Sequence, residues 1–288
     1  MKKIKYFIES SFIIILFIIM KIFGLKISRL LSSFIFKNIG PLFRSKKISY
    51  QNLSYALPNI NEAKKDEILK KMWINYGKIF SEYVFIKNFR NDLKFSKKII
   101  VENQEELEKI KLLKKPVIFV SGHFNNFELM AMHLEKSNIN LAAVYRPLNN
   151  KFINPIMERI RKKYICKKQI KKGISGTKEL LKEFKNGTSI ALMIDQRVSE
   201  GIESELFGQK ALTTTIPAQF IKKFDTVVVP IYIERLIDDT FQLKILNAIK
   251  FSKNETINDI TQQLNKILEK MIMSNPDQWI WTHNRWKV

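Results

Sequence analysis

Two polar residues close the ends of the stretch His123-Phe124-Asn125-Asn126-Phe127-Glu128 near the middle of the chain. An imidazole with a carboxylate against one ring nitrogen has its tautomer fixed and its basicity raised, and its other nitrogen is free to take a proton from an incoming hydroxyl. This is half of the serine-protease arrangement, with the substrate's own alcohol in place of the serine. It suits direct transfer of an acyl group to an acceptor hydroxyl without an acyl-enzyme. On one regular helix the two side chains would point about 140° apart, so they meet only if His123 sits in a turn ahead of the helix. On spacing alone, a satisfied structural histidine near a helix N-terminus is the commoner arrangement.

The elements that would position the pair are readable on either side of it. Val117 to Ser121 is a short apolar run that reads as a buried strand, Gly122 as the turn, and Phe127 to Glu135 as the helix beyond. From Pro116 onward short apolar runs alternate with helical patterns, the signature of an α/β sheet domain. Leu141 to Tyr145, Ser189 to Ile194 and Val227 to Ile233 are the other strand candidates. Phe152 to Lys163, Thr177 to Phe184, Ile216 to Lys223 and Ile257 to Met273 are the helices. The chemical candidates fall at the C-terminal ends of these strands, where open α/β sheets bind ligands. Upstream, Asn52 to Pro58, the turn Asn59-Ile60-Asn61 and a pattern through Ile68, Leu69, Met72, Trp73, Tyr76 and Ile79 make a helical prelude. The expected division is a membrane anchor and amphipathic helix at 1–45, the prelude at 46–115 and the α/β core at 116–288.

Fifty Lys and Arg against 27 Asp and Glu give a formal charge of +23 over 288 residues, a field that favours acidic partners such as anionic lipid, nucleic acid or an acidic carrier protein. Lysine enrichment in a chain also rich in Ile and Asn has a compositional explanation too. No nucleic-acid fold signature accompanies the charge, because the aromatic residues follow the apolar patterns and not the basic runs. One cysteine, Cys166, excludes an internal disulfide framework, and it reads as a strand thiol more readily than as a nucleophile. With histidines only at 123, 133 and 283 there is no metal-ligand spacing. Phe12 to Met20 is continuously apolar but spans only about 14 Å as a helix, against about 30 Å of hydrocarbon. It lengthens to Leu25 if Lys21 snorkels, and no small-residue cleavage site follows, which reads as an uncleaved anchor. Lys2, Lys3 and Lys5 precede it, and Lys26, Arg29, Lys37 and Arg44 follow. A helix dipping into or lying along one leaflet fits both flanks, and Ile27, Leu30, Leu31, Phe34 and Ile35 continue it as an interfacial amphipath. A buried core helix is the alternative.

Further segments carry a resemblance. Asn52-Leu53, the stretch from His123 to Glu128, Tyr145-Arg146-Pro147-Leu148-Asn149-Asn150, Asp195-Gln196, Phe207-Gly208 with Thr213-Thr214-Thr215, and Pro276-Asp277-Gln278-Trp279-Ile280-Trp281-Thr282-His283-Asn284-Arg285-Trp286-Lys287 occur in the order seen in the bacterial late acyltransferases of lipid A biosynthesis. The similarity covers nearly the whole chain, and the closing Pro-x-Gln-Trp-x-Trp-x-His-x-Arg-x-Lys pattern is specific. The His-x4-Glu element alone is shared with lysophospholipid and glycerol-phosphate acyltransferases. The resemblance implies a glycerol-phosphate acyltransferase-like mixed sheet flanked by helices, with an N-terminal membrane-associated helix. It implies an inner-membrane enzyme, with its catalytic domain on the cytoplasmic face, that moves an acyl chain from acyl carrier protein to a hydroxyl of the phosphorylated, Kdo-bearing lipid A precursor, without a cofactor or metal. His123 would be the general base, Glu128 its orienting partner, and Asp195 matches a family position implicated in activity; glutamate at 128 resembles the lauroyl-type enzymes.

Arg146 and Asn149 in the Tyr-Arg-Pro turn would contact substrate, Arg146 because its planar fork suits phosphate or carboxylate. Lys172 stands in a region where some relatives carry arginine, and Arg285 and Lys287 could reach phosphates. Trp279, Trp281 and Trp286 would form an interfacial belt or pack the last helix. A glycerophospholipid or another glycolipid as acceptor is the enzymatic alternative, and a basic membrane-binding protein the non-enzymatic one.

Overall fold

The computed structural model describes residues 2–287. Among the described residues nine strands are formed: β1 Ile99–Glu102, β2 Ile118–Ser121, β3 Leu141–Tyr145, β4 Lys168–Lys171, β5 Ser189–Met193, β6 Ile202–Leu206, β7 Gln209–Thr213, β8 Val228–Arg235 and β9 Phe241–Ile245. Seven of them make one sheet in the order β1-β9-β8-β2-β5-β3-β4. Every pairing in it is parallel except β8 with β9. The helices are α1 Lys2–Ile39, α2 Lys46–Ala56, α3 Glu62–Glu82, α4 Ile86–Asn91, α5 Leu93–Ser96, α6 Glu105–Leu112, α7 Glu128–Lys136, α8 Asn154–Tyr164, α9 Ile174–Lys185, α10 Ile216–Phe224 and α11 Ile257–Ser274.

The four expected strands are β2, β3, β5 and β8, and they form the centre of the sheet. A parallel strand covered on both faces is written almost wholly in apolar residues; β2 is buried throughout, and β8 is buried along its apolar run from Val228 to Ile233 and on through Glu234 and Arg235. The edges are less apolar. β4 is Lys-Gln-Ile-Lys with only Ile170 buried, a lysine-rich edge that resists pairing with other chains. β1 pairs with β9, so the sheet draws on residues from both sides of position 116. The β6–β7 hairpin turns on Phe207 (φ 54°) and Gly208 (φ 69°), the two left-handed residues that a type I′ turn requires. α11 opens with a capping box between Thr256 and Asp259, which satisfies two otherwise orphaned backbone donors.

α1 is two helical arms joined at Gly24, whose φ of 76° and ψ of 170° lie outside helical space. The Phe17 and Phe36 rings each lie 5.3 Å from the Phe80 ring, although in one continuous helix they would be about 28 Å apart. The second arm crosses α3 closely at Gly77, where a Cβ would stand 2.3 Å from the Ser32 carbonyl oxygen.

Candidate functional site

Register explains how the site is assembled. Parallel β2 and β5 pair Ile118 with Ile190 and Ser121 with Met193; two residues farther on, His123 comes opposite Asp195. The chain leaves β2 for β3 on one side and leaves β5 for β8 on the other, so the pair sits at the kind of reversal where a crevice opens beyond the strand ends. Gly122 is required here because a Cβ would lie 2.8 Å from the Phe124 ring. Asn125, at φ 46°, completes the turn.

Asp195 is fully buried and accepts three hydrogen bonds. Its Oδ1 is 2.8 Å from His123 Nδ1, and its Oδ2 accepts from the His123 backbone amide at 2.8 Å and from Trp279 Nε1 at 2.9 Å. Burial alone would push the carboxyl up, but the imidazole, the amide and the indole hold it at about 2. The ionised carboxylate places the neutral imidazole's proton on Nδ1 and leaves Nε2 as the acceptor. The His123 side chain is 23% exposed, its ring is edge-on to Phe127 at 4.8 Å, and no described residue hydrogen-bonds Nε2. Burial works against its protonation, yet Asp195, with a smaller push from Glu128, raises its pKa above the usual 6.5, while Lys172 opposes them.

The expected pairing of Glu128 with His123 is not made. Glu128 is the first residue of α7, and its carboxylate turns away to the end of α3 and to α8. Oε1 accepts from the Tyr83 hydroxyl and from Arg161 Nε at 2.8 Å, and Arg161 Nη2 donates to the Tyr83 hydroxyl at 3.2 Å. The Arg161 guanidinium also lies 5.7 Å from the Tyr145 ring centroid. Burial pulls the Arg161 pKa down, but Glu128 and Tyr83 raise it overall, so the cation persists. The carboxylate nearest in sequence therefore fixes α8 against the turn, and the one brought by the neighbouring strand fixes the imidazole.

Behind the turn lies a buried charge network absent from the sequence reading. Glu82 Oε1 accepts from Arg29 Nε at 2.7 Å and Arg235 Nη1 at 2.6 Å, and Oε2 accepts from Arg235 Nη2 at 3.1 Å and Asn126 Nδ2 at 2.9 Å. Arg235 Nη2 also reaches Asn125 Oδ1 at 2.9 Å. Burial would raise the Glu82 carboxyl, but the two guanidiniums outweigh it and lower its pKa. Gln278 closes the assembly: its Oε1 accepts from Asn125 Nδ2 at 2.7 Å and from the Arg235 amide at 2.8 Å. Both asparagines of the turn are thus internal fasteners. Charged residues within otherwise apolar patterns, such as Arg235 at the end of β8, were the available signal.

Arg285 is corrected as a phosphate contact. It is 0% exposed, donating from Nη1 to Leu212 O at 2.8 Å and from Nη2 to Thr213 Oγ1 at 2.7 Å; burial lowers its pKa to about 10. The three tryptophans are buried and pack edge to face, Trp279 against Trp281 at 4.8 Å, so they form no interfacial belt. Asn52 ties this segment to α2 through the carbonyls of Trp281 (2.8 Å) and His283 (2.7 Å). Cys166 is buried, donates to Leu141 O at 3.2 Å, and has its thiol pushed up to about 11 by burial.

Arg146, Asn149 and Lys172 are exposed beyond the ends of β3 and β4. Tyr145 pairs with Lys171 across those strands, so Arg146 and Lys172 share the edge that carries His123 and Asp195. Lys287 is exposed at the far end of the tryptophan segment.

The family model for the bacterial lipid A biosynthesis acyltransferase matches residues 1–288. The lipid A biosynthesis lauroyltransferase of Escherichia coli (strain K12) is 24% identical over 255 residues, covering 85% of this chain and 80% of that protein. The palmitoleoyltransferase of the same strain is 23% identical over 254 residues, covering 86% and 80%. Lipid A biosynthesis acyltransferase 2 of Shigella flexneri is 22% identical over 254 residues, covering 84% and 78%. The chain belongs to the bacterial lipid A biosynthesis acyltransferase family.

Proposed function

We propose that this chain transfers a fatty acyl group from an acyl carrier protein thioester to a hydroxyl of the Kdo-bearing lipid A precursor, at the cytoplasmic face of the inner membrane, on a glycerol-phosphate acyltransferase-like fold. The observation that carries the reading is the His123–Asp195 clamp, which leaves Nε2 without a partner among the described residues at the strand edge. The acceptor hydroxyl gives its proton to Nε2 as its oxygen bonds to the thioester carbonyl carbon. Collapse of the tetrahedral intermediate breaks the C–S bond, and the imidazolium returns the proton to the departing carrier thiolate. Asp195 stays ionised throughout and stabilises the imidazolium.

The direct contact to the base is assigned to Asp195; Glu128 acts at one remove, by holding Arg161 and Tyr83. Two strand spacings separate β2 from β3 and three separate it from β4, about 10 and 14 Å, so Arg146 and Lys172 would meet anionic groups of the acceptor to one side of the reacting hydroxyl. Asn149 lies on the same rim. The +23 charge suits an acidic carrier, a phosphorylated acceptor and an anionic membrane surface together.

Mass spectrometry of lipids from a strain lacking this gene tests the assignment. Lipid A short of one secondary acyl chain is expected. Intact lipid A with a missing phospholipid species would move the acceptor to a glycerophospholipid. Transfer by purified protein from acyl carrier protein to the Kdo-bearing precursor is the matching assay in vitro.

A further inference from the structure

We infer that the first arm of α1 does not cross the bilayer but lies along one leaflet, as a monotopic surface continuous with the rim of the site. This rests on the membrane reading above and adds its geometry.

The arm carries two opposite stripes. Ile4, Ile8, Phe12, Ile15, Ile19 and Ile22 recur at helical spacing and are all exposed, Ile22 at 77%. The opposite stripe holds Ser10, Phe17, Met20 and Lys21, and this face meets the protein. Ser10 Oγ donates to Asn150 Oδ1 at 2.9 Å, and Asn150 Nδ2 donates to Tyr6 O at 2.9 Å. Lys21 Nζ donates to Asn88 Oδ1 at 2.9 Å, so it turns onto the domain. The second arm repeats the inversion, with Ser28, Arg29, Ser32 and Ser33 buried and Leu30 and Phe34 exposed. Small polar groups inside and large apolar groups outside reverse the pattern of a helix facing water. Only 11% of the most apolar window is buried.

The domain grips the arm near both ends, at Tyr6 to Ser10 and again at Lys21, about 21 Å apart for residues 7 to 21. A helix standing across the membrane would carry Glu9, Asn150 and the Lys21–Asn88 contact into hydrocarbon, where charged and polar groups are costly even when paired. Lying flat keeps them at headgroup level, with exposed Lys2, Lys3 and Lys5 at one end and Lys26 at the other to meet anionic lipid. Phe7 stacks edge-on to Phe152 at 5.7 Å, so the apolar face runs onto the loop that follows Arg146 and Asn149. A lipid hydroxyl would then approach the imidazole along the plane of the headgroups.

The full-length protein carrying Lys3→Cys, Lys26→Cys or Asn254→Cys, each tested alone, decides the matter, with a membrane-impermeant maleimide applied to intact spheroplasts or to everted inner-membrane vesicles. The buried Cys166 makes the unsubstituted protein the blank. All three thiols are expected to label in everted vesicles and none from outside spheroplasts. Labelling of Lys3→Cys from the side opposite Asn254→Cys would establish a crossing helix and overturn the proposal. Failure of the protein to float with phosphatidylglycerol-containing vesicles would instead overturn the membrane reading beneath it.

Discussion

Asp195→Asn is the sharpest perturbation of the clamp because it keeps shape and removes charge. Oδ2 accepts two donors, the His123 amide and the Trp279 indole, whereas Oδ1 faces only His123 Nδ1. An asparagine therefore keeps its carbonyl oxygen at the two-donor position and turns its NH2 toward Nδ1. Nδ1 must then accept, and the imidazole proton moves to Nε2, the atom that should receive the substrate's proton. Loss of the correct tautomer costs about 10⁴-fold in kcat in such systems, or roughly 5.5 kcal/mol of transition-state stabilisation. In the unsubstituted protein kcat/KM should fall as pH drops through the raised pKa of His123, above 6.5, because only the neutral ring acts as a base. Any residual activity in the variant should show that acid limb at lower pH, since the carboxylate that raised the pKa is gone. Initial rates of acyl transfer from acyl carrier protein across a pH series, with circular dichroism to verify folding, measure both effects. A folded Asp195→Asn protein with near-normal kcat and an unmoved acid limb would refute the assignment.

Glu128→Gln leaves Arg161 without its counter-charge and should cost about 3 kcal/mol of stability, read as a lower midpoint in urea, while moving the acid limb less than Asp195→Asn does. Glu82→Gln strands two buried guanidiniums, and a loss of roughly 3–5 kcal/mol should lower the melting temperature by about 10 °C; an unchanged melting curve would contradict the network. Lys172→Ala should raise KM for the phosphorylated acceptor about tenfold, the worth of one charge-assisted contact, with kcat nearly constant and KM for the acyl carrier protein unaffected.

The central strands were legible because a parallel strand buried on both faces has to be written in apolar residues, and β3 begins and ends at the expected positions, Leu141 and Tyr145. Edge strands β1 and β4 were not, since Ile170 alone is buried in β4, and too few apolar positions are left to establish a period. β9 was readable in principle, with Phe241, Leu243 and Ile245 buried in strict alternation. His123 was found through its glycine turn. Its partner was assigned to Glu128 because that carboxylate is close in sequence, whereas Asp195 becomes adjacent only once β5 is known to insert between β2 and β3. Arg285 stood in a recognisable pattern, but the pattern could not distinguish a residue kept for its buried bonds to the β6–β7 hairpin from one kept for a substrate. Arg29, Glu82 and Arg235 come from three distant segments, and nothing local links them.

That union of distant segments sets where the chain can be shortened to obtain the enzyme free of lipid. The break in α1 falls at Gly24, and Arg29 lies beyond it, in the second arm. A chain beginning at Leu25 sheds the most lipophilic surface while the guanidinium stays in its socket beside Glu82 and the asparagines that shape the catalytic turn. Cutting after Ile39, at the end of the helical run, would take the socket's occupant away as well. The hinge, and not the helix end, is the natural scissor point for crystallisation, with detergent still needed for the exposed Leu30 and Phe34 that the second arm keeps.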